Sequence, residues 1–521
     1  MKKSIILVTF LAGMILWNSC VPVDPVDPFE NAATSVALPE LTVYEAPVGA
    51  PKNFTYEVYV RCEGGDWYNL HEYDAGVDGG FGTEPLGHMS FVYFDSDFSK
   101  RMDVRVVKKG GTVNEFRIRP ESAGIIPSVD GNAVEFSLSN PAKLSVEFDG
   151  DQLNNLMVFA NDLETDIPDS TAANVHYFGP GIHKIGEDGR GVLNVRSNET
   201  VYIAGGAIVY GHIDVRSPNY ARSRNVMIRG RGILSGDMET GHVYNHPDHY
   251  TTPPLITVYI TDGADVEGII LHNSATFNVH IHFSKNVEVN DLKIMSWTIN
   301  SDGIDPQCSS DVLIDNCFIR NFDDGSAINL NWYQGNNILD PDNPGNNILG
   351  NITIQNSIYW QDQGRSILIG PTLASTVANQ VLENITVRNI DILYVENYTS
   401  DNTDWAKGAL AINCGDDATV RNVLYEDIRV DKLGDATNLI TLNMVQTPFS
   451  DSEGRRIEDI VFNGVSSNSA PALNNYIHGF SAERLISGVS FTDLMIGGVH
   501  ITNTEEGNFD VNEFTENIVF H

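Results

Sequence analysis

A nine-residue phrase with alternating β-branched residues recurs along the second part of the chain. The copy at 286–294 reads Asn-Val-Glu-Val-Asn-Asp-Leu-Lys-Ile, with Asn or Asp at the corner. Other copies begin at Asn225, Gly263, Asp311, Asn351, Asn384, Asn422, Asp459 and Gly488. The tightest intervals are 23 residues (263 to 286) and 25 residues (286 to 311). Short strands repeated at this period without helices predict a parallel β-helix, whose turns are stable only when stacked.

The pattern before residue 176 is different. Segments 54–60, 103–107 and 144–148 alternate apolar and polar positions over the length of a strand, and Gly, Pro and Asp-Gly turns separate them. These segments show no helical period. The chain is therefore predicted to be all-β, with an antiparallel β-sandwich over 35–175 and a right-handed parallel β-helix over 176–521.

The first residues have the layout of an export signal. Lys2 and Lys3 precede an apolar stretch at 5–17, which is short for a bilayer span and ends in Leu-Trp-Asn-Ser before Cys20. This ending resembles a bacterial lipoprotein cleavage box. We predict a lipoprotein signal peptide at 1–19, then a lipidated Cys20 and a Pro/Asp-rich spacer over 20–34. The protein would then be anchored by lipid outside the cytoplasm, on the bacterial outer membrane or cell surface; a plain cleaved signal is the alternative.

Composition narrows the possible partners. The chain has 521 residues, 42% of them hydrophobic and 19% charged, which is typical of a globular protein with one or two large cores. Its net charge of -37 repels polyanions. Nucleic acid is therefore not expected as a partner. Polygalacturonate and sulfated polysaccharides are also disfavoured, unless a local basic patch overrides the average charge. We expect a monomer.

Four cysteines follow Cys20, and their spacing matches no zinc pattern. We interpret them mainly as small buried residues. A disulfide between Cys308 and Cys317 remains an alternative in an oxidising compartment. No metal and no cofactor are predicted.

Two acidic motifs carry the predicted chemistry: Asn-Ser-Asp-Gly-Ile-Asp at 300–305 and Phe-Asp-Asp-Gly-Ser-Ala-Ile at 322–328. Asp302 and Asp323 are 21 residues apart, nearly one repeat, and Asp324 follows with a glycine behind it. Because neighbouring turns lie about 4.8 Å apart, three carboxylates should meet on one wall. Carboxylates this close together cannot all ionise. Glycoside hydrolysis needs one carboxyl group that protonates the leaving oxygen and another that acts on the opposite side of the sugar. A corner ladder or a calcium site is the structural alternative.

These motifs, together with Gly-Arg-Gly-Ile-Leu-Ser-Gly at 230–236 and His-Asn-Ser at 272–274, resemble the polygalacturonase clan of β-helical glycoside hydrolases. The clan contains glycoside hydrolase families 28 and 49, and the resemblance covers most of 176–440. The preceding sandwich and the phrases at 144–150 and 175–181 look more like family 49, which contains dextranases and isopullulanase.

The resemblance implies a role for each aspartate. Asp323 would be the general acid, Asp302 and Asp324 would together act as general base on water, and the anomeric configuration would invert. Family 28 members that cleave pectin have Gly-His-Gly where this chain has Gly-Arg-Ser around Arg365, and Arg-Ile-Lys where it has Leu-Ala-Ile-Asn at 410–413. Losing these cationic contacts favours a neutral glucan. Arg365 either faces the cleft, where it would support an aspartate or bind sugar hydroxyls, or is a surface or wall arginine.

Sugar-binding residues are expected around the acids, because apolar sugar faces pack on exposed aromatic rings. Residues near the aspartate turns and in the inserted loop at 331–350 are assigned to substrate binding. They are Asn300, Asp305, Arg365, Trp297, Trp332, Tyr333, Trp360, Trp405 and His280. Core packing is the alternative for each tryptophan, and a structural role is the alternative for His280.

The predicted function is an inverting, endo-acting glycoside hydrolase for a neutral α-glucan of the dextran or pullulan type. Three alternatives stay open. One is hydrolysis of galacturonan, rhamnogalacturonan or another plant or algal glycan. Another is a calcium-dependent polysaccharide lyase in which Arg365 removes a proton, and the last is a β-helix that binds glycans without cleaving them.

Overall fold

A computed structural model describes residues 29, 32–80, 82, 84–242, 251–330, 348–370, 380–398 and 403–521. The predicted signal peptide, Cys20, Trp332 and Tyr333 lie outside the described residues. Helical structure in the described part consists of short 3-10 turns at Glu121–Ala123, Pro218–Tyr220 and Asp404–Ala406. None of the described helices is long and apolar enough to span a membrane.

The N-terminal region forms two packed sheets. The strands are β1 Val36–Ala37, β2 Leu41–Val43, β3 Tyr56–Cys62, β4 Tyr68–Leu70, β5 Tyr73–Val77, β6 Gly87–Ser96, β7 Met102–Lys108, β8 Phe116–Arg119, β9 Ser128–Asp130, β10 Ala133–Leu138, β11 Ala142–Phe148 and β12 Leu156–Asp162. One sheet has the order β1-β2-β6-β12-β11-β8, with β5 on β6, and the other has the order β4-β3-β7-β10-β9. Pairings are antiparallel except between β6 and β12, and apolar side chains fill the space between the sheets. The predicted β-sandwich is confirmed.

The remaining strands wind into a β-helix. They are β13 Val175–Phe178, β14 Gly181–Lys184, β15 Val192–Val195, β16 Thr200–Ile203, β17 Ala207–Tyr210, β18 His212–Val215, β19 Ser223–Gly230, β20 Ile233–Ser235, β21 Ile256–Tyr259, β22 Thr261–Glu267, β23 Ile270–His272, β24 Val279–His282, β25 Lys285–Asn290, β26 Lys293–Met295, β27 Ile304–Gln307, β28 Ser310–Asp315, β29 Phe318–Asn321, β30 Ser326–Ile328, β31 Ile348–Gln361, β32 Ile367–Ile369, β33 Val381–Val395, β34 Leu410–Cys414, β35 Thr419–Val430, β36 Ile440–Met444, β37 Arg456–Ser467, β38 Asn475–His478, β39 Ile486–Thr492, β40 Met495–Ile496, β41 Val499–His500, β42 Phe509–Val511 and β43 Thr515–Phe520. Parallel pairing from turn to turn confirms the predicted parallel β-helix.

Asn and Asp mark the corners of the helix because they tolerate left-handed backbone conformations better than other residues with side chains. The first residue of most copies of the phrase has a positive φ, for example 54° at Asn286 and 55° at Asn351. Their amides also stack between turns, and Asn384 Nδ2 donates to Asn351 Oδ1 at 3.1 Å. The repeated phrase therefore determines where each turn bends.

A second apolar core joins the sandwich to the β-helix. Phe91 and Phe159 of the sandwich pack in one cluster with Phe318 and Trp360 of the β-helix. Arg119, from the sandwich, is fully buried and lies 4.6 Å from the centre of the Trp360 ring. The two regions therefore form one continuous body through this contact.

The described cysteines are buried thiols, as expected. Cys308 and Cys317 are both unpaired, so the alternative disulfide between them is not formed in this structure. Both side chains contribute to the apolar interior of the β-helix.

Candidate active site

The two acidic motifs lie directly over each other. The backbone N–H of Gly303 donates to the carbonyl of Asp324 at 2.9 Å, and that of Ile304 donates to Gly325 at 3.1 Å. A Cβ atom on Gly303 would lie 2.3 Å from the Gly325 carbonyl oxygen, so only glycine permits this approach. The spacing of 21 residues therefore corresponds to one turn of the helix.

Asn321 fixes both turns from inside. Its buried side-chain amide donates to the carbonyls of Ser301 and Asp324, each at 2.8 Å. A buried amide with both donors satisfied holds its neighbours in one arrangement. The carboxyl groups beside these carbonyls are thus attached to a rigid backbone.

Asp302, Asp323 and Asp324 form the predicted cluster. One carboxylate oxygen of each lies within 4.8 Å of the others. The residues keep only 8%, 6% and 4% of their surface exposed, respectively. In so dry a site, one carboxylate strongly disfavours ionisation of the next.

Asp323 is equipped to hold and release a proton. Burial and then the charge of Asp324 raise its pKa to about 6. Donors limit the rise: the Tyr398 hydroxyl donates to Oδ2, and so does the backbone N–H of Asn300 at 3.0 Å. A carboxyl with this pKa is protonated often enough near neutral pH to act as a general acid.

Asp302 and Asp305 occupy the previous turn. Burial, followed by the charges of Asp323 and Asp305, raises the pKa of Asp302 well above its ordinary value. Asp305 has 1% of its surface exposed, and its Oδ1 accepts the backbone N–H of Ala327 at 3.0 Å. Burial raises the pKa of Asp305 as well. The predicted triad therefore has a fourth carboxyl beside it.

Arg365 is paired with Asp324. Its Nε lies 2.7 Å from Oδ1 and its Nη2 lies 2.6 Å from Oδ2, while its backbone N–H donates to Oδ1 at 2.8 Å. Both groups are buried, so this is a charge-assisted pair in a dry environment. Of the two readings of Arg365, the geometry supports the one in which it supports an aspartate.

Tyr398 is a site residue that the sequence does not single out, because it lies 75 residues after Asp323. The strands β29, β31 and β33 end at Asn321, Gln361 and Val395, and these three residues pair from turn to turn. Residues shortly after these strand ends, including Asp323 and Tyr398, are therefore stacked over one another. Aligning the ends of successive strands would have brought Tyr398 beside the acids. The Lys407 amine donates a hydrogen bond to the Tyr398 carbonyl at 2.7 Å.

Two of the tryptophans predicted to bind sugar are instead buried where the sandwich contacts the β-helix. Trp360 has no exposed surface, because Arg119 and Arg320 cover its ring at 4.6 and 4.1 Å. Trp297 stacks on His242 with 5.5 Å between ring centres, and a Cβ on Gly79 would lie 2.2 Å from its indole. Both predictions of a sugar platform are wrong, because the interface between the two regions uses these rings.

Trp405 remains beside the site. Its carbonyl accepts hydrogen bonds from Arg365 Nη1 at 3.4 Å and from Asn413 Nδ2 at 2.7 Å. Its ring meets that of Phe449 edge-on at 5.9 Å, and Phe449 is 57% exposed. The sequence predicts Trp405 near the acids but not Phe449, because a lone phenylalanine in a loop gives no sequence signal.

His280 pairs with Asp305 in the register of β24 and β27, so it lies one turn before the acids on the same face. Its Nε2 is 2.7 Å from Nε2 of His282, and Phe277 stacks on its ring at 4.8 Å. Burial lowers the pKa of both histidines, to about 4 for His282. They are therefore neutral hydrogen-bonding groups at neutral pH.

A stacked carboxyl cluster on a parallel β-helix is the arrangement expected of a polysaccharide-cleaving enzyme. Residues 219–516, more than half of the chain, match the sequence model of glycosyl hydrolases family 28. The chain belongs to this family, and the predicted membership of the polygalacturonase clan is confirmed.

Individual relatives are distant. A dextranase of Arthrobacter globiformis is 25% identical over 288 residues, which cover 45% of this chain and 43% of that protein. A probable polygalacturonase of Vitis vinifera is 25% identical over 171 residues, which cover 27% of this chain and 35% of that protein. The chain thus spans less than half the length of either relative.

The solved structure of Dex49A from Penicillium minioluteum has a similar fold. Its TM-score is 0.58 at 15% identity, and the match covers 94% of this chain and all (100%) of that one. Because the match covers nearly the whole chain, it includes the sandwich as well as the β-helix.

Proposed function

We propose that this protein is an inverting, endo-acting glycoside hydrolase that cleaves a neutral α-glucan of the dextran or pullulan type. The observation that carries the proposal is that two neighbouring buried carboxyl groups have different electrostatic environments. Asp323 has a pKa of about 6, and the neighbouring Asp324 is neutralised by Arg365. Two carboxyl environments that differ this much are what acid and base roles require.

The proposed mechanism uses all three aspartates. Asp323 gives its proton to the glycosidic oxygen as the bond to the anomeric carbon breaks. Water attacks that carbon from the opposite face, and Asp302 accepts a proton from it. Asp324, fixed by Arg365, orients the water. The products are a hemiacetal of inverted configuration and an alcohol, and the carboxyls exchange their protons with solvent afterwards.

A neutral substrate is supported by the charges around the acids. The Arg365 guanidinium is engaged by Asp324, and the Lys407 amine donates to a backbone carbonyl. At the position of the clan's second cationic contact, Leu410 and Ile412 point into the apolar interior, while Asn413 binds the Trp405 carbonyl. These described groups leave little to hold the carboxylate of a uronic acid.

Sugar contacts are proposed from the residues that line the acids. Trp405 and Phe449 offer an apolar platform two to three turns beyond Asp323, about 10–15 Å at the usual spacing of turns. Asn300 and His280, which are partly exposed, offer hydrogen bonds on the other side. Asp305 is too deeply buried to reach a sugar, so its predicted contact with substrate is not kept. Trp332 and Tyr333 are kept as proposed contacts.

We also propose that the protein is exported and anchored to a membrane by lipid. The signal peptide at 1–19, lipidation of Cys20 and the spacer at 20–34 would place the enzyme outside the cytoplasm on a membrane, as a monomer without nucleic-acid partners. In the native host, Cys20→Ala should release the protein from the membrane fraction into the soluble fraction. Membrane retention of that variant would count against the lipid anchor.

Hydrolysis of galacturonan is the second candidate, because the Vitis vinifera relative is named a probable polygalacturonase. Incubation with dextran, pullulan, polygalacturonate and neutral plant glycans separates the two. Product size reports endo action, and proton NMR of the first products reports the anomeric configuration. Cleavage of polygalacturonate alone would replace the proposed substrate. Unsaturated products that vanish with chelator would indicate a lyase.

A further inference from the structure

The end of β5 and the residues after it close around Trp297, three residues before the acidic motif at 300–305. Gly79 donates its backbone N–H to the Trp297 carbonyl at 2.8 Å. A Cβ atom on Gly79 would overlap the indole ring and lie 2.7 Å from that carbonyl oxygen, and one on Gly76 would lie 2.8 Å from Cγ of the ring. Real Cβ atoms do not come this close, so both positions require glycine. The sandwich therefore packs against Trp297 with no room for a side chain.

Trp297 is also held from the side of the β-helix. Its ring lies nearly parallel to that of His242, with 5.5 Å between ring centres and an angle of 7°. Asn273 of the previous turn links both walls, because its carbonyl is 2.9 Å from His242 Nε2 and its Oδ1 accepts the Gly76 N–H at 3.2 Å. The indole therefore has fixed partners in both regions of the molecule.

A short turn lies between this contact and the proposed general acid. The Ser301 N–H donates to the Thr298 carbonyl at 3.2 Å, and Thr298 Oγ1 donates to the Ser274 carbonyl at 3.0 Å. Asn300 has a φ of 59°, the left-handed conformation that a type II turn requires at its third position. The Asn300 N–H is not used by the turn's own hydrogen bond. It donates to Asp323 Oδ2 at 3.0 Å.

We propose that Gly79 and Trp297 are positioning residues for the proposed general acid, Asp323. The sandwich fixes the first residue of the segment 297–301, and this segment holds the Asn300 N–H toward the carboxyl group. Both positioning residues act through that hydrogen bond. The inference rests on the proposed hydrolase function and refines it, because the sandwich then belongs to the catalytic unit.

The hydrogen bond from Asn300 matters because it favours the ionised form of Asp323. A donor to a carboxylate lowers its pKa. The Tyr398 hydroxyl donates to the same oxygen, so the two donors together set how readily the acid releases its proton. If the contact with the sandwich is lost, the Asn300 N–H moves away and the pKa of Asp323 rises. The acid then protonates the leaving oxygen less readily, but it stays protonated to higher pH.

Replacing Gly79 leaves the charges around the acid unchanged. The charged groups that face Asp323 are Asp302 and Asp305 of the previous turn, Asp324 beside it and Arg365 of the next turn. The groups that face Asp78, the neighbour of Gly79, are Arg320, Asp362 and Glu396. Gly79→Ala keeps all of them, so a change in the proton affinity of Asp323 reports the position of its donor.

Gly79→Ala tests the proposal, with Gly80→Asn as the matched control. The added Cβ at 79 displaces the Trp297 carbonyl, whereas position 80 has open space and a φ of 53° that asparagine tolerates. In Gly79→Ala we expect kcat to fall about three- to tenfold and the alkaline limb of kcat/KM to move upward by about 0.5–1 pH unit. Gly80→Asn should change neither.

The position of the limb decides the outcome. A merely structural role of Gly79 would lower the amount of active enzyme without moving the limb, so an unmoved or lowered limb overturns the proposal even where kcat falls. If Gly79→Ala does not fold, Trp297→Leu gives the same test, because it removes the ring and adds no atom at the contact. Its alkaline limb should also move upward, and an unmoved limb overturns the proposal.

A measurement without substrate separates this proposal from the hydrolase function. A carboxyl with a raised folded pKa contributes stability that is lost as pH rises through that pKa. The ratio of the unfolding equilibrium constants of Gly79→Ala and the wild type should therefore increase about 3- to 10-fold from pH 5 to pH 8, which corresponds to a pKa shift of about 0.5–1 unit. In the Asp323→Asn background the same ratio should stay constant.

Urea unfolding across this pH range measures the ratio in both backgrounds. A ratio that changes equally in the two backgrounds, or in neither, overturns the positioning role. Wild-type inactivity on every glycan, together with a ratio that rises only when Asp323 is present, overturns the hydrolase function alone.

Discussion

Arg365 holds Asp324 through two parallel hydrogen bonds, with Nε 2.7 Å from Oδ1 and Nη2 2.6 Å from Oδ2. Arginine and carboxylate match in this geometry, which lysine or histidine cannot reproduce. The pair thus neutralises one of the clustered carboxylates permanently. It also limits which neighbour can ionise next, so several measurable properties depend on it.

Removing the guanidinium should destabilise the protein. In Arg365→Leu the buried carboxylate of Asp324 has lost its counter-ion, and breaking a buried pair costs about 3–5 kcal/mol of unfolding free energy. The double variant Arg365→Leu/Asp324→Asn should recover much of that stability but little activity. Urea unfolding and initial rates on the cleaved glycan measure the two effects. A loss below about 1 kcal/mol in the single variant would contradict a dry, paired site.

The acid role of Asp323 predicts the direction of the pH dependence. A general acid works protonated, so activity should decline as pH rises through about 6, the pKa of Asp323. The same pKa shift affects the free energy of unfolding. The pKa of Asp323 is about 6 in the folded protein and about 3.9 in the unfolded chain, so the protein loses stability as pH rises from about 3.9 to about 6. The pH profile of kcat/KM and unfolding at several pH values check both statements.

Tyr398→Phe should move that profile. The hydroxyl donates to Asp323 and lowers the pKa of this carboxyl, so its loss raises the pKa further. We expect the alkaline limb of kcat/KM to shift upward by about 0.5–1 pH unit, with a lower maximum rate. Tyr476→Phe, on β38 farther along the helix, serves as the control. A downward shift in Tyr398→Phe would exclude the assigned hydrogen bond.

Asp323→Asn should abolish hydrolysis while leaving the fold intact. The amide cannot supply a proton to the leaving oxygen, and loss of general acid catalysis costs about 10²–10⁴-fold in rate. Circular dichroism and thermal unfolding report the fold, and Asp459→Asn controls for the change of charge. If glycan cleavage persists at the wild-type rate, Asp323 is not the acid.

Trp360 and Trp405 should respond in opposite ways to truncation. Trp360→Ala empties the contact between Arg119 and Arg320 and should cost about 3–5 kcal/mol of stability. Trp405→Ala, at the edge of the site, should raise KM or shorten the preferred product with a small change in stability. Thermal midpoints and kinetics on the same preparations separate the two roles. A large KM effect confined to Trp360→Ala would reverse the assignments.

The parts of the structure that follow local rules could be predicted from the sequence. Asn286 and Asp311 mark corners because their side chains tolerate a left-handed backbone, so the repeat and the stacking of Asp302 over Asp323 follow from spacing alone. The burial of Trp360 depends on Arg119, which is 241 residues away, and a single sequence does not specify such contacts. Tyr398 was missed for a similar reason, because inserted loops obscure the register of its turn.

The stacking of turns also has a consequence for how such an enzyme can change over generations. Asp315 pairs with Gln355 across 40 residues, whereas Lys285 pairs with Ser310 across 25, yet both pairs lie in the same ladder. Insertions at corners therefore lengthen the chain without shifting any rung. Between Asp302 and Asp323 the backbone bonds leave no slack, so an inserted residue would rotate the acids out of line. Natural variation in length should therefore accumulate at the corners of the β-helix, while the turn that carries the acids keeps its length.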